Sequence, residues 1–406
     1  MHSIATSTQL PDLNEPSLRE PDARPLALFI SRLHCGGAER VTVNLLRAAA
    51  QAGITLDLLL AKAEGSLLSE VPREVRVIDF NVSRVRSAIP QIALYLRRER
   101  PRAVISHMTH GNIAFLIARA LARTKTPLVV VEHSRFSPSS AARKLHPWER
   151  KVARVLYPWA DHVVGVSTGV SRDVEQSLGL PTDRVRTIYN PIVDARLLAR
   201  AEEPCPHPWL SPDPWPTGDD QPVLLTVGHL GRPEKDHATL LRAVAIVRQT
   251  RPVRLVIFGE GSERGQIESL RRDLGLETAV DLPGATNNPY AAMRGASLFV
   301  LSSRSEGLPT VLIEALACGC PTVSTTCPSG PTEILEGGRY GVLVPPENPA
   351  ALAEGILKGL DREWDRDALR RRGAEFSATA SMNQYLAILD YPLVPVGSSG
   401  LTRESS

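Results

Sequence analysis

The stretch Leu298-Phe299-Val300-Leu301-Ser302-Ser303-Arg304-Ser305-Glu306-Gly307-Leu308-Pro309-Thr310-Val311-Leu312-Ile313-Glu314 reads as a strand, a polar loop and the start of a helix. Residues 298–301 form an apolar run, and Pro309 suits the first helical position because the N–H it lacks would have found no partner there. A strand that hands its loop directly to a helix is the unit of a parallel sheet covered by helices. The unit recurs on both sides. Apolar runs at 223–227, 254–258 and 280–282 precede it, with helical patterns at 238–248 and 262–274, and shorter runs at 322–324 and 341–344 follow it. The front half repeats the scheme, with runs at 26–31, 56–60, 75–80, 103–106, 128–131 and 162–166 and helical patterns at 38–52, 113–123 and from Ser167 onward.

This alternation predicts an α/β protein made of two Rossmann-like, doubly wound domains that face each other across a cleft. The expected division is a polar tail over 1–25, a front domain over 26–200, a proline-rich linker over 201–222 and a back domain over 223–372. A final helical stretch, 367–389, would return toward the front domain over 373–390, and 391–406 reads as a Gly/Ser-rich tail.

A chain of 406 residues exceeds what one core usually serves, which agrees with two domains. Hydrophobic content of 43% and charged content of 22% exclude global disorder and a membrane-embedded class. No apolar run reaches the roughly 18 residues of a spanning helix, and the N-terminus lacks the basic start and apolar core of a signal peptide. Five cysteines without a C-x-x-C pair fit a reduced, cytoplasmic compartment, and Cys318 and Cys320 read as small buried thiols. The net charge of +3 hides an asymmetry: residues 26–200 hold 26 Lys/Arg against 14 Asp/Glu. That balance suits contact with something anionic, such as a bilayer surface or a phosphorylated acceptor, or else an arginine-rich set of solvated helix faces. Nucleic acid is not an expected partner.

Four groups of residues carry candidate chemistry. Glu306 and Glu314 stand eight residues apart around the helix start, where free N–H groups and the helix dipole favour phosphate or sugar hydroxyls. At about 1.5 Å per residue the spacing would span on the order of 12 Å, close to the reach from a hexose across a diphosphate to a ribose. Val227-Gly228-His229-Leu230-Gly231-Arg232-Pro233-Glu234-Lys235 follows a strand, and Arg232 and Lys235 there would neutralise a diphosphate, unless the loop is merely solvated. Gly36 and Gly37 open a helix after the first strand and let backbone approach a ligand. His133 ends an apolar run and either points into the cleft as a donor or serves a structural role.

In this order and at these strand ends, the four groups resemble the retaining glycosyltransferases of carbohydrate-active family 4, which have the two-domain GT-B fold and an E-x7-E motif. The likeness covers residues 26 to about 389 and includes Asn190-Pro191 at the end of the front domain. It implies that Glu306 contacts a donor sugar, that Gly307 and Leu308 offer backbone N–H groups, and that Glu314 holds the ribose. Lys235 would lie on the diphosphate, His133 near the reacting centre, and Gly36 and Gly37 near the phosphates. Many relatives place an arginine where this chain has His229, so either Arg232 or His229 is the second phosphate contact. The implied reaction moves a hexose from a nucleoside diphosphate sugar to an acceptor hydroxyl, with retention and without a metal or other cofactor. A saccharide or lipid-linked acceptor of cell-envelope assembly, at the inner face of the cytoplasmic membrane, is the expected setting.

Other readings compete. Gly165-Val166-Ser167-Thr168-Gly169 fits the G-x-S-x-G of a serine hydrolase, with strand before and helix after, although Ser167 also suits a helix N-cap. Asp365-Arg366-Asp367 has the D-x-D form of metal-dependent transferases but lies in a charged helical stretch. A non-catalytic sugar-nucleotide-binding protein, an epimerase or a phosphorylase could use the same scaffold.

Overall fold

The computed structural model describes residues 24–34, 36–137, 147–205, 207–210 and 221–394. The terminal tails before residue 24 and after residue 394, half of the proline-rich linker and Cys35 lie outside the described residues.

The apolar runs form strands buried on both faces. In the front half β1 (Leu26–Ile30), β2 (Leu56–Leu60), β3 (Arg76–Asp79), β4 (Ala103–His107), β5 (Leu128–Glu132), β6 (His162–Gly165) and β7 (Val185–Thr187) lie side by side in the order 3-2-1-4-5-6-7. Every pairing is parallel. The back half holds β8 (Val223–Val227), β9 (Arg254–Phe258), β10 (Val280–Gly284), β11 (Leu298–Leu301), β12 (Thr322–Thr325) and β13 (Val342–Val344), also parallel, in the order 10-9-8-11-12-13. Both sheets thus follow one winding. Strand order reverses between β1 and β4 in front and between β8 and β11 behind, so the loops leaving these four strands open onto the crevices where such sheets bind ligands.

The chain crosses between the halves twice. Asn44 of the helix Gly37–Gln51 donates to the Pro191 carbonyl at 2.7 Å, which anchors the outgoing segment. On the return, the Phe376 carbonyl accepts from the N–H groups of Ile192 (3.0 Å) and Val193 (3.1 Å). The helix Ala378–Ile388 then packs on the helix Gly37–Gln51 of the front domain.

Three local expectations change. The expected helix over 367–389 is two helices, Arg366–Ala374 and Ala378–Ile388, because Ser377 leaves the helical path to cap the second by accepting from Ala380 N. The helix after β11 is Thr310–Ala317, with Pro309 at its N-cap rather than its first turn. Part of the linker is docked: His207 Nε2 lies 2.9 Å from Asp281 Oδ2, and Arg254 stacks over the Trp209 ring at 5.0 Å.

Candidate functional site

The loop after β8 and the loop after β11 are tied together before either meets a ligand. Ser302 Oγ donates to the Lys235 carbonyl at 2.9 Å, and Arg304 N donates to the Glu234 carbonyl at 2.7 Å. Asp236 caps the helix His237–Val247 by accepting from Thr239 N and Oγ1. These anchors aim Lys235 at the second loop, where its Nζ lies 2.6 Å from Glu306 Oε1. Ser303 Oγ donates to the same carboxylate oxygen at 2.7 Å. Both members of the ion pair are largely buried, so its field is screened less than that of a surface pair.

Arg232 is exposed at the mouth of this loop and makes no hydrogen bond among the described residues. His229 Nδ1 accepts from Gly231 N at 2.9 Å, a local turn contact that leaves Nε2 as its proton-bearing nitrogen when neutral.

Glu306 itself lies in the loop and not in the helix, so the helical measure of about 1.5 Å per residue does not apply across the whole pair. The N–H groups of Gly307 and Leu308 make no hydrogen bond among the described residues. A Cβ on Gly307 would stand 2.3 Å from the His133 carbonyl oxygen, so the absence of a side chain lets the two domains touch at this point. Glu314 lies within the helix and lines a neighbouring interdomain recess with Arg40, Asn44 and Tyr290. Burial pushes its carboxyl up to about 7, against the pull of the Arg40 guanidinium, and its side chain makes no hydrogen bond among the described residues.

Gly36 is the N-cap of the helix Gly37–Gln51, and the Glu39 carboxylate occupies the space a Cβ on Gly36 would take. Burial holds the Glu39 carboxyl above the usual range, while His34 and Arg232 act to lower it. The double glycine and the cationic loop therefore come within electrostatic reach across the cleft.

The front wall is desolvated. His133 Nε2 lies 2.9 Å from His107 Nδ1, and burial holds the first imidazole down at about 4. His107, fully buried, is held well below the ordinary histidine range by burial and by its neighbour, and its Nε2 has no partner. Behind them Glu132 accepts from Thr109 Oγ1 and Asn112 Nδ2, each at 2.9 Å, and from the Tyr157 hydroxyl. Burial outweighs these bonds and pushes the Glu132 carboxyl up to about 7.

His133, Lys235 and Glu306 thus gather around Gly307 and Leu308, Arg232 faces the Gly36-Gly37 corner, and Glu314 occupies the adjoining recess. Sequence reading missed His107, Ser303 and Ser329. His107 had a signal, since it ends a strand beside the strand that delivers His133. Ser329, whose Oγ donates to the Glu306 and Gly307 carbonyls at 3.2 Å each, had none, because it comes from a separate loop.

The serine-hydrolase reading fails on geometry. Ser167 is fully buried and its Oγ accepts from Val170 N at 3.1 Å as a helix N-cap. The flanking glycines serve packing: a Cβ on Gly165 would meet Ser171 Oγ at 2.5 Å, and one on Gly169 would meet Ser329 Cβ of the back domain at 2.7 Å. Thr168 N donates to Glu333 Oε2 at 2.9 Å, so this turn is a domain contact. In the D-x-D segment, Asp365 caps a helix through Ala368 N and Asp367 pairs with Arg370 at 2.6 Å. Among the described residues no three His, Cys, Asp or Glu side chains gather as a metal site. Cys318 and Cys320 are buried thiols.

Known proteins share this organisation. Residues 35–196 match the family model "Glycosyltransferase Family 4" and residues 209–376 match "Glycosyl transferases group 1". The chain is 28% identical over 359 residues to the Campylobacter jejuni N-acetylgalactosamine-N,N'-diacetylbacillosaminyl-diphospho-undecaprenol 4-alpha-N-acetylgalactosaminyltransferase, covering 86% of this chain and 93% of that protein. A glycosyltransferase from Rickettsia africae superposes with a TM-score of 0.75 at 17% identity, covering 90% of this chain and 98% of the other. Anabaena HepE in complex with UDP superposes with a TM-score of 0.71 at 19% identity, covering 90% and 99%. With one transferase model matched in each half, and two parallel sheets facing a shared cleft, the chain is a glycosyltransferase of GT-B architecture.

Proposed function

We propose that this transferase moves a hexose from a nucleoside diphosphate sugar to a hydroxyl of a lipid-linked saccharide, with retention at the anomeric carbon, in the assembly of a cell-envelope glycan. The contact between Lys235 Nζ and Glu306 Oε1, 2.6 Å apart beside the unpaired N–H groups of Gly307 and Leu308, carries the reading. The Campylobacter relative named above acts on an undecaprenol-linked saccharide, and HepE was solved with UDP, which supports the choice of acceptor and donor class.

Breaking the bond between a sugar and a diphosphate builds negative charge on the departing phosphate. Preorganised cations and N–H donors stabilise that charge without reorganising. Lys235 and the backbone of Gly307 and Leu308 take this role, with Arg232 as the second cation; His229 is the less suited because one ring nitrogen is engaged in its own turn. No metal is needed in this scheme. Glu306, held by Lys235 and Ser303, accepts from a hydroxyl of the transferring sugar. Glu314, unpaired in its recess, accepts from the ribose diol.

His107 is a positioning residue in this scheme. If its Nδ1 carries the shared proton, its buried Nε2 is a bare lone pair rather than an orphan donor, the costlier kind of defect. His133 then bears its proton on Nδ1, which makes no hydrogen bond among the described residues and can donate to the sugar. On one face of the sugar the anomeric C–O bond to phosphate breaks, the acceptor oxygen bonds to the same carbon, and the acceptor proton passes to the departing phosphate oxygen.

A panel of nucleotide sugars, read by thermal shift and by slow donor hydrolysis, tests the donor. The anomeric configuration of the product, read by NMR, tests retention. Stabilisation by one donor class and a product of unchanged configuration are expected. An inverted product removes retention, and donor binding without turnover on any saccharide or lipid-linked acceptor removes the transfer.

A further inference from the structure

Glu333 belongs to the back domain, yet it caps a helix of the front domain. The helix Thr168–Leu178 opens with N–H groups that have no partner within it. Ser167 Oγ takes the one on Val170, and Glu333 Oε2 takes the one on Thr168 at 2.9 Å. A carboxylate at this end also faces the positive pole of the helix dipole, which strengthens the bond between the domains. Arg372 holds Glu333 from behind, donating to the Glu333 carbonyl at 2.7 Å and to the Ile334 carbonyl at 2.9 Å.

The remaining carboxylate oxygen holds a loop. Glu333 Oε1 accepts from Gly330 N at 3.1 Å, which fixes Pro328-Ser329-Gly330 between two surfaces. On the front side, a Cβ on Gly169 would stand 2.7 Å from Ser329 Cβ and 3.2 Å from the Pro328 carbonyl oxygen. On the back side, a Cβ on Gly330 would stand 2.4 Å from Pro309 Cδ and 3.1 Å from Leu308 Cα. Ser329, only 6% exposed, shares its hydroxyl proton between the Glu306 and Gly307 carbonyls at 3.2 Å each. Each of those carbonyls lies in one planar trans peptide with the N–H of the next residue, and the two point in opposite directions. Gripping the Glu306 and Gly307 carbonyls on one side therefore aims the Gly307 and Leu308 N–H groups away on the other.

We infer that Glu333 is a positioning residue: by bridging the domains it holds Ser329 in place, and Ser329 sets the direction of the Gly307 and Leu308 N–H groups. The cradle they form is then complete only while the front domain supplies Thr168 N. What the aimed N–H groups do for a departing phosphate rests on the transfer reading, whereas their direction does not, so the two are measured separately.

Amide NMR of the donor-free, full-length protein reads the direction. The Gly307 and Leu308 peaks should move in Ser329→Ala and in Glu333→Gln, whose single carbonyl oxygen cannot occupy both carboxylate oxygen positions. Thr168→Pro removes the front-domain donor: proline suits the first helical position, and Ser167 before it is already extended. It should move the same two peaks, and it reads the bridge from the other domain should Glu333→Gln fail to fold. Thr168→Ala, which keeps the N–H, should move them less. In transfer assays, Glu333→Gln and Ser329→Ala should each lower kcat about tenfold with donor KM within about twofold of the parent. The double variant should lose no more than the worse single one, because the two residues act in series. Stationary Gly307 and Leu308 peaks in both Glu333→Gln and Thr168→Pro overturn the inference. So do kcat losses that multiply in the double variant. A parent protein that transfers no sugar would strike the transfer reading and leave the peaks to decide this one.

Discussion

At the strand reversal of the back sheet, the loops after β8 and β11 present Lys235, Arg232 and Glu306, with the lysine and glutamate already in contact at 2.6 Å. At the same topological position of the front sheet, β1 and β4 lead to a double glycine and to His107, and the neighbouring strand delivers His133. The winding is shared and the chemistry is opposite. One wall of the cleft keeps ions, and the other is so desolvated that its histidines are held uncharged and its glutamate, Glu132, titrates near 7. A diphosphate is best met by the first wall. Hydroxyl groups, which need oriented donors and acceptors rather than net charge, are best met by the second.

The largest effect should come from removing charge on the charged wall. Lys235→Ala and Glu306→Gln are each expected to lower turnover about a hundredfold, with the melting temperature little changed. Parent-like activity in both would mean that this wall does not meet the reacting bond. Next comes the point where the walls touch. Gly307→Val places a Cβ in the space of the His133 carbonyl, 2.3 Å away, and should lower kcat about tenfold or more by holding the walls apart while donor binding persists. Equal kcat, measured at saturating donor, would show that the walls need not meet.

A milder loss, up to about tenfold in kcat with the donor KM nearly constant, is expected from His107→Phe, because the neighbouring imidazole loses the partner that fixes its tautomer. Nitrogen NMR of His133 should then report mixed tautomers, a change that a purely structural role for His107 would not produce. Smallest on turnover, and visible mainly in stability, is Glu132→Gln. The folded-state carboxyl is raised from 4.5 to about 7, so its contribution is full below pH 4.5 and fades as pH rises through 7. His133 is lowered from 6.5 to about 4, so its contribution is full above pH 6.5 and fades as pH falls through 4. Thermal melts across this window should therefore show a shallower falling limb in Glu132→Gln, Glu314 supplying what remains of it, and keep the rising one. A parent-like profile would show that Glu132 does not titrate in the folded protein.

Much of the fold was legible because parallel strands buried on both faces must be short unbroken apolar runs, and runs such as 26–31 and 298–301 have no other easy use. The breaks were not. Ser377 ends a pattern that reads as one helix, because the Phe376 carbonyl is needed by Ile192 and Val193 from the far end of the front domain. The G-x-S-x-G segment was misleading for a related reason: its glycines answer to packing on Ser171 and Ser329, and no local pattern separates that need from a nucleophile turn.

By itself the sequence determined the alternation of strand and helix, the two-domain division, the placing of Gly36, Gly37, His133, Arg232, Lys235 and Glu306 in the segments that follow strands, and that of Glu314 in the helix after β11, since burial and local periodicity act over a few residues. Only the tertiary structure decided which of them meet. Lys235 and Glu306 are 71 residues apart in sequence, and their contact depends on two loops tied by Ser302 and Arg304. The lowered imidazoles of His107 and His133 and the raised carboxyl of Glu132 are likewise products of desolvation, which no residue carries alone and which exists only once the fold has closed around them.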